Sequence, residues 1–137
     1  MRVLVTGSRD WDVRYKINMI LNELKAMADI LNSQLTIVHG ACPTGADFYA
    51  DQWANYRSDV KAEQWPARWE LYGKAAGPRR NEAMVDAGAD MCLAFLRGNS
   101  PGTSQTIALA RTAGIPTFVI NYESVDQEIE TLSPGPG

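Results

Sequence analysis

The sequence predicts an α/β fold, a three-layer sandwich in which a five-stranded parallel sheet of order 3-2-1-4-5 carries helices on both faces. Three observations carry this expectation. Apolar runs alternate with segments of helical periodicity, and such alternation implies right-handed crossovers between parallel strands. Arg2–Thr6 is a β-branched run with an apolar centre and Met91–Leu96 is apolar without a break, as in strands buried on both faces at a sheet centre. Lys61–Trp65 instead alternates polar with apolar, which marks an edge strand with one wet face.

The elements follow in order. Arg2–Thr6 is a first strand, and Gly7-Ser8-Arg9-Asp10 turns after it. From Tyr15 the residues Ile17, Ile20, Leu21, Leu24, Met27, Ala28 and Leu31 keep helical spacing, and Asn32-Ser33 closes that helix. Leu35–His39 is a second buried strand, followed by the loop Gly40–Gly45. Ala46, Ala50, Trp53 and Ala54 stripe a second helix. Asp47 and Asp51 lie on another face, with Asp47 in the first turn where a carboxylate suits the dipole. Pro66 ends the third strand, and Ala67–Ala76 has no regular pattern.

A helix is expected to start at Gly77-Pro78, because proline is tolerated at the first helical position. It runs to about Ala87 and stops at Gly88. The loop Arg97–Thr103 opens a further helix ending at Gly114, and Pro116–Ile120 is a fifth strand. Glu123–Leu132 reads as a short last helix and 133–137 as a flexible Pro/Gly tail, so 1–132 forms one domain.

Totals exclude several function classes. The chain has 137 residues, enough for one core without disulfide staples. Net charge is −3, from 13 Lys+Arg against 16 Asp+Glu, which disfavours nucleic acid as a partner. Cys42, Cys92 and the single His39 do not form a zinc pattern, so no metal is expected. Cys92 reads as a core thiol and Cys42 as a loop thiol. No stretch is long or apolar enough to span a membrane, and no leader is recognisable, so the expected location is cytoplasmic.

The functional signal sits around Ala76–Met84, Ala-Gly-Pro-Arg-Arg-Asn-Glu-Ala-Met. Cations are disfavoured at a helix amino end, so Arg79 and Arg80 there suggest an anion site. Arg80 also continues the stripe of Ala83, Met84 and Ala87, which turns it towards the core edge. The alternative is an ion pair with Glu82 or Asp86, or a bridge to a neighbouring loop. The glycine-containing loops Gly7–Arg9, Gly40–Gly45 and Gly98–Thr103 all follow strands and precede helices. In parallel sheets ligands bind beyond that rim.

Val5-Thr6-Gly7-Ser8-Arg9, His39-Gly40, Gly45-Ala46-Asp47, Trp53, Gly73–Asn81 and Met84 resemble the YspA/YpsA-related branch of the SLOG superfamily, small Rossmann-like proteins. Pro101-Gly102-Thr103 is similar to the end of the superfamily's phosphate loop. The resemblance implies binding of a nucleotide or nucleotide-derived ligand. Some members are phosphoribohydrolases related to the LONELY GUY enzymes, some are nucleotide sensors, and the DNA-processing protein A family binds single-stranded DNA. The hydrolases use an arginine at the helix start, matched by Arg80, and a glutamate three residues after the loop threonine. Thr106 stands there instead, beside Gln105, so robust hydrolysis is not expected.

The expected ligand contacts are Gly7, Ser8, Arg9, Gly40, Asp47, Arg79, Arg80, Asn81, Gly98, Gly102, Thr103 and Ser104, with no catalytic residue assigned. Phosphate would rest on backbone N–H groups of the Gly98–Thr103 loop, under Arg80 with Arg79 or Arg9 helping. Asp47 would accept from a sugar hydroxyl or serve the helix dipole alone. Glu70, Glu82 and Asp47 are the carboxylates that could replace the missing glutamate in a hydrolase. Trp69 and Tyr72 could stack a base, pack a loop, or join Trp65 in a homodimer surface. No cofactor is expected beyond the small nucleotide-type ligand.

Overall fold

A computed structural model describes residues 1–122. The helix expected over Glu123–Leu132 and the tail 133–137 lie outside the described residues. The elements in chain order are β1 (Arg2–Gly7), α1 (Arg14–Ile30), β2 (Leu35–His39), α2 (Gly45–Asn55), β3 (Val60–Gln64), α3 (Trp69–Tyr72), α4 (Ala76–Asp86), β4 (Met91–Leu96), α5 (Pro101–Thr112) and β5 (Thr117–Asn121). All strand pairs are parallel, and the order is β3-β2-β1-β4-β5, as expected.

Odd and even strand positions feed different layers, because side chains alternate across a sheet. Val3 and Val5 of β1 point to the α1–α2 side, where Ile17, Leu21, Leu24, Ala28, Ala50 and Trp53 close the core. Leu4 and Val38 point to the opposite side, against Met84 and Val85 of α4 and Ala110 of α5. Cys92 belongs to that second layer, and burial pushes its thiol up to about 11. It is the inert core thiol the sequence suggests. Among the described residues no helix is long and apolar enough to cross a membrane.

Two expectations need correction. Ala67–Ala76 is not irregular. It holds α3 and a 3-10 turn at Gly73–Ala75 that runs straight into α4. A four-residue helix is too short for its periodicity to register in sequence. Helix α4 therefore begins at Ala76, and Pro78 is its third residue, where the missing N–H still has no intrahelical acceptor to lose. The start of α4 is not a bare amino end.

Across the sheet, Arg2 of the central strand β1 holds Glu63 of the edge strand β3 with two hydrogen bonds, 2.9 Å and 2.8 Å, and the Trp65 indole N–H gives Glu63 a third at 2.9 Å. Arg2, then Trp65, hold the Glu63 carboxyl down at about 2. A carboxyl depressed below its ordinary value stabilises the fold above that ordinary value and stops doing so as pH falls through the depressed one. Glu63→Gln should thus melt below the wild type at pH 7. The gap should close between about pH 4.5 and pH 2, measured by melting curves at stepped pH.

Candidate functional site

The carboxyl ends of the strands open into one cleft of about 1100 Å³, walled by the loops after β1, β2, β3 and β4 and by the start of α4. That is slightly above the usual range for small-molecule sites, about 300–1,000 Å³. Four features expected to share a rim thus do share one.

The first two loops are locked together through their backbones. A Cβ at Gly45 would lie 2.2 Å from the Ser8 carbonyl oxygen, and Gly45 has φ +73°. Gly7 is crowded as well, by packing alone, with the Ala46 Cβ 2.5 Å and the Phe95 oxygen 2.7 Å from where its own Cβ would be. Ser8 is buried. Its hydroxyl accepts from the Arg97 N–H at 2.9 Å and donates to the Arg97 carbonyl at 3.2 Å. Ser8 therefore ties the β1 loop to the β4 loop and has no hydroxyl proton left for a ligand. Arg9 is exposed on the cleft wall and makes no hydrogen bond or ion pair among the described residues.

The second loop is built on His39. Its Nδ1 accepts the Ala41 N–H at 3.0 Å, which leaves the proton on Nε2 to be donated to Asp51 at 2.8 Å. Gln64 and Asn55 hold the same Asp51 carboxylate, at 2.9 Å and 2.8 Å. Ala41 is thereby kept at φ +60°, a left-handed conformation that costs a non-glycine residue about 1–2 kcal/mol. Asp47 lies beneath this loop, 7% exposed, and accepts from the Cys42 N–H at 3.3 Å. Burial pushes its carboxyl up, against the pull of His39, the Cys42 N–H and Arg80. It is a buried residue of the cleft floor, not only a helix-dipole carboxylate.

Arg80 closes the third side. Its Nε donates to Asn81 Oδ1 at 2.7 Å, and its Nη1 donates to the Gly40 carbonyl and, at 3.3 Å, to that of Trp65. A side chain on Gly40 would collide with the guanidinium, 2.5 Å from Nη1. Among the described residues no carboxylate pairs with it, so the ion pair to Glu82 or Asp86 is absent and the bridge to neighbouring loops is present. Nη2 has no partner among the described residues. Burial pulls the guanidinium's pKa below its ordinary value; Asp47 opposes this and the nearby Arg9 adds to it. Two cations thus repel each other on one cleft.

The fourth side is the start of α5. Asn81 reaches across to Gln105 at 2.9 Å and to the Gly102 carbonyl at 3.5 Å. Ser100 and Thr103 exchange a hydroxyl hydrogen bond of 2.8 Å, and no side chain caps the first amides of the helix. Thr106 is fully buried and donates back to the Gly102 carbonyl at 3.1 Å. The neighbour that reaches the cleft is Gln105.

Three expected contacts lie outside the cleft. Arg79 sits about 100° round the helix from Arg80 and lies over the Tyr72 ring at 4.5 Å. Ser104 is turned out in the same way next to Thr103. Gly98 uses φ +57° to reverse the chain after β4. Conversely, Asn99, Ser100 and Gln105 line the cleft without being expected there as contacts, and Trp69, one of the two aromatics weighed for base stacking, lines it while Tyr72 does not. The aromatic character of Trp69 and the hydroxyl three residues before Thr103 were the available signals.

Comparison with known sequences bears on this arrangement. One family model, described as the YspA, cpYpsA-related SLOG family, matches residues 1–72. The chain belongs to that family. The matched part holds the Gly7–Arg9 and Gly40–Gly45 loops and Asp47. A relative described as the Gene 61 protein of Mycobacterium phage D29 is 45% identical over 128 residues, 88% of this chain and 95% of its own length. No solved structure matches. Membership in this SLOG family suggests a nucleotide-related binding role.

Proposed function

We propose that this SLOG protein binds a nucleotide or nucleotide-derived ligand in the cleft, as a binding or sensor domain. One observation carries the reading. Arg80 is half-buried on the cleft, fixed by three protein acceptors and, among the described residues, unpaired with any carboxylate and left with Nη2 to give. A fixed guanidinium is suited to phosphate recognition. The uncapped amides opening α5 supply the neutral donors, Arg9 a second charge, and Asp47 an acceptor for a sugar hydroxyl. The test is a thermal-shift panel of nucleotides, cyclic nucleotides and ADP-ribose derivatives. A ligand at 100 times its dissociation constant stabilises by about 2.7 kcal/mol. Silence across every phosphate-bearing compound would refute the reading.

Hydrolysis is not supported as the main activity. Position 106 carries a threonine turned into the core, and neither Glu70 nor Glu82 lines the cleft, which leaves Asp47 of the three candidates. A general acid–base group supplies roughly two to four orders of magnitude in rate. Chromatography of AMP incubated with the protein should show no fast release of adenine. Fast release that disappears in Arg80→Ala would overturn this.

A further inference from the structure

We propose that Trp69 is the surface on which the ligand's base stacks, which makes it the residue that separates nucleotides from simple sugar phosphates. The inference rests on the anion site above and adds the recognition of a planar ring.

The chain has four tryptophans, and three are committed. The indole N–H of Trp11 donates to the Val13 carbonyl, that of Trp53 to Asn22 and that of Trp65 to Glu63. Trp11 and Trp53 are buried and Trp65 is partly so. Trp69 is different: it is 50% exposed, its indole N–H has no partner among the described residues, and it lines the cleft. The nearest heavy atom to a Cβ built on Gly77 is its Cη2, at 3.4 Å, so the ring lies over the start of α4, one turn from Arg80. Tyr72, the other aromatic of α3, is taken by Arg79.

The support beneath Trp69 is slight. Helix α3 buries none of its four residues. Gly73 follows at φ +53° and ψ −129°, a conformation reserved for glycine. Leaving a large apolar ring in water on such an element gains nothing for the fold. Stacking on a base uses that ring, and it tolerates any base because each has a π-face.

Titration calorimetry with the four nucleoside 5′-monophosphates and with ribose 5-phosphate tests this on the full chain. The wild type should bind at least one nucleotide more tightly than ribose 5-phosphate. Trp69→Ala should weaken that nucleotide roughly 5- to 150-fold and leave ribose 5-phosphate unchanged. Trp69→Phe should restore most of the loss, and acrylamide quenching of wild-type fluorescence should fall when the nucleotide is added. Ribose 5-phosphate binding as tightly as every nucleotide, or Trp69→Ala weakening both alike, overturns the proposal and leaves the anion site standing. Binding of neither class overturns both. A fall in particle mass for Trp69→Ala, with nucleotide affinity unchanged, would assign the ring to self-association instead.

Discussion

Gly45→Ala should lower the melting temperature by roughly 10 °C or more. A glycine-to-alanine change usually stabilises slightly, by restricting the unfolded chain, when the native backbone suits alanine. Here it does not. The φ of +73° costs an L-residue about 1–2 kcal/mol before any contact is considered. The new Cβ would also stand 2.2 Å from the Ser8 oxygen and 2.8 Å from Arg9 backbone atoms. Those atoms belong to the β1 loop, itself held to β4 by the Ser8 N–H donating to the Phe95 carbonyl at 2.9 Å, so they cannot retreat freely. The total cost should exceed about 3 kcal/mol. A melting curve decides it, and a fall of only about 2 °C would mean that the two loops are not in backbone contact.

Arg80→Ala should do two things at once. It removes the donor from the carbonyls of Gly40 and Trp65 and from Asn81, which should cost roughly 1–3 kcal/mol of stability. It also removes the fixed charge of the cleft and should weaken a phosphate-bearing ligand by about 1.5–3 kcal/mol, one to two decades in dissociation constant. The sequence alone suggests a cleaner result, because nothing near Arg80 along the chain needs a charge. The structure adds two carbonyls from loops 40 and 15 residues away in sequence, and these are what make the residue structural as well. Arg80→Lys keeps the charge without the planar fork, so it should recover part of the affinity and little of the stability.

The strand order was legible because one face pattern separates edge from centre. The alternation at Lys61–Trp65 and the apolar runs of β1 and β4 report which strands meet water. The rim was legible because the three glycine loops that follow strands, Gly7–Arg9, Gly40–Gly45 and Gly98–Thr103, fall on the same strand end. What could not be read was orientation within a loop. Helix phase, by contrast, was legible: Arg80 lies on the stripe of Ala83, Met84 and Ala87 and reaches the cleft, whereas Arg79 turns onto Tyr72. The burial of Asp47 depends on the Gly40–Cys42 loop folding back over α2, which His39 enforces from β2. Ser8 reads as a ligand contact until β4 is placed beside β1, and then its hydroxyl is already used. Trp69 rests on a helix too short for its face to be assigned from spacing.

The most direct test compares nucleotide with nucleoside in the wild type and in Arg80→Ala, by titration calorimetry at a temperature where both are folded. A nucleoside lacks the phosphate but keeps the base and sugar. The wild type should prefer AMP over adenosine by one to two decades, and Arg80→Ala should erase most of that preference while leaving adenosine binding nearly unchanged. Equal affinity for AMP and adenosine in the wild type, or a preference that survives in Arg80→Ala, would contradict a phosphate site built on this arginine.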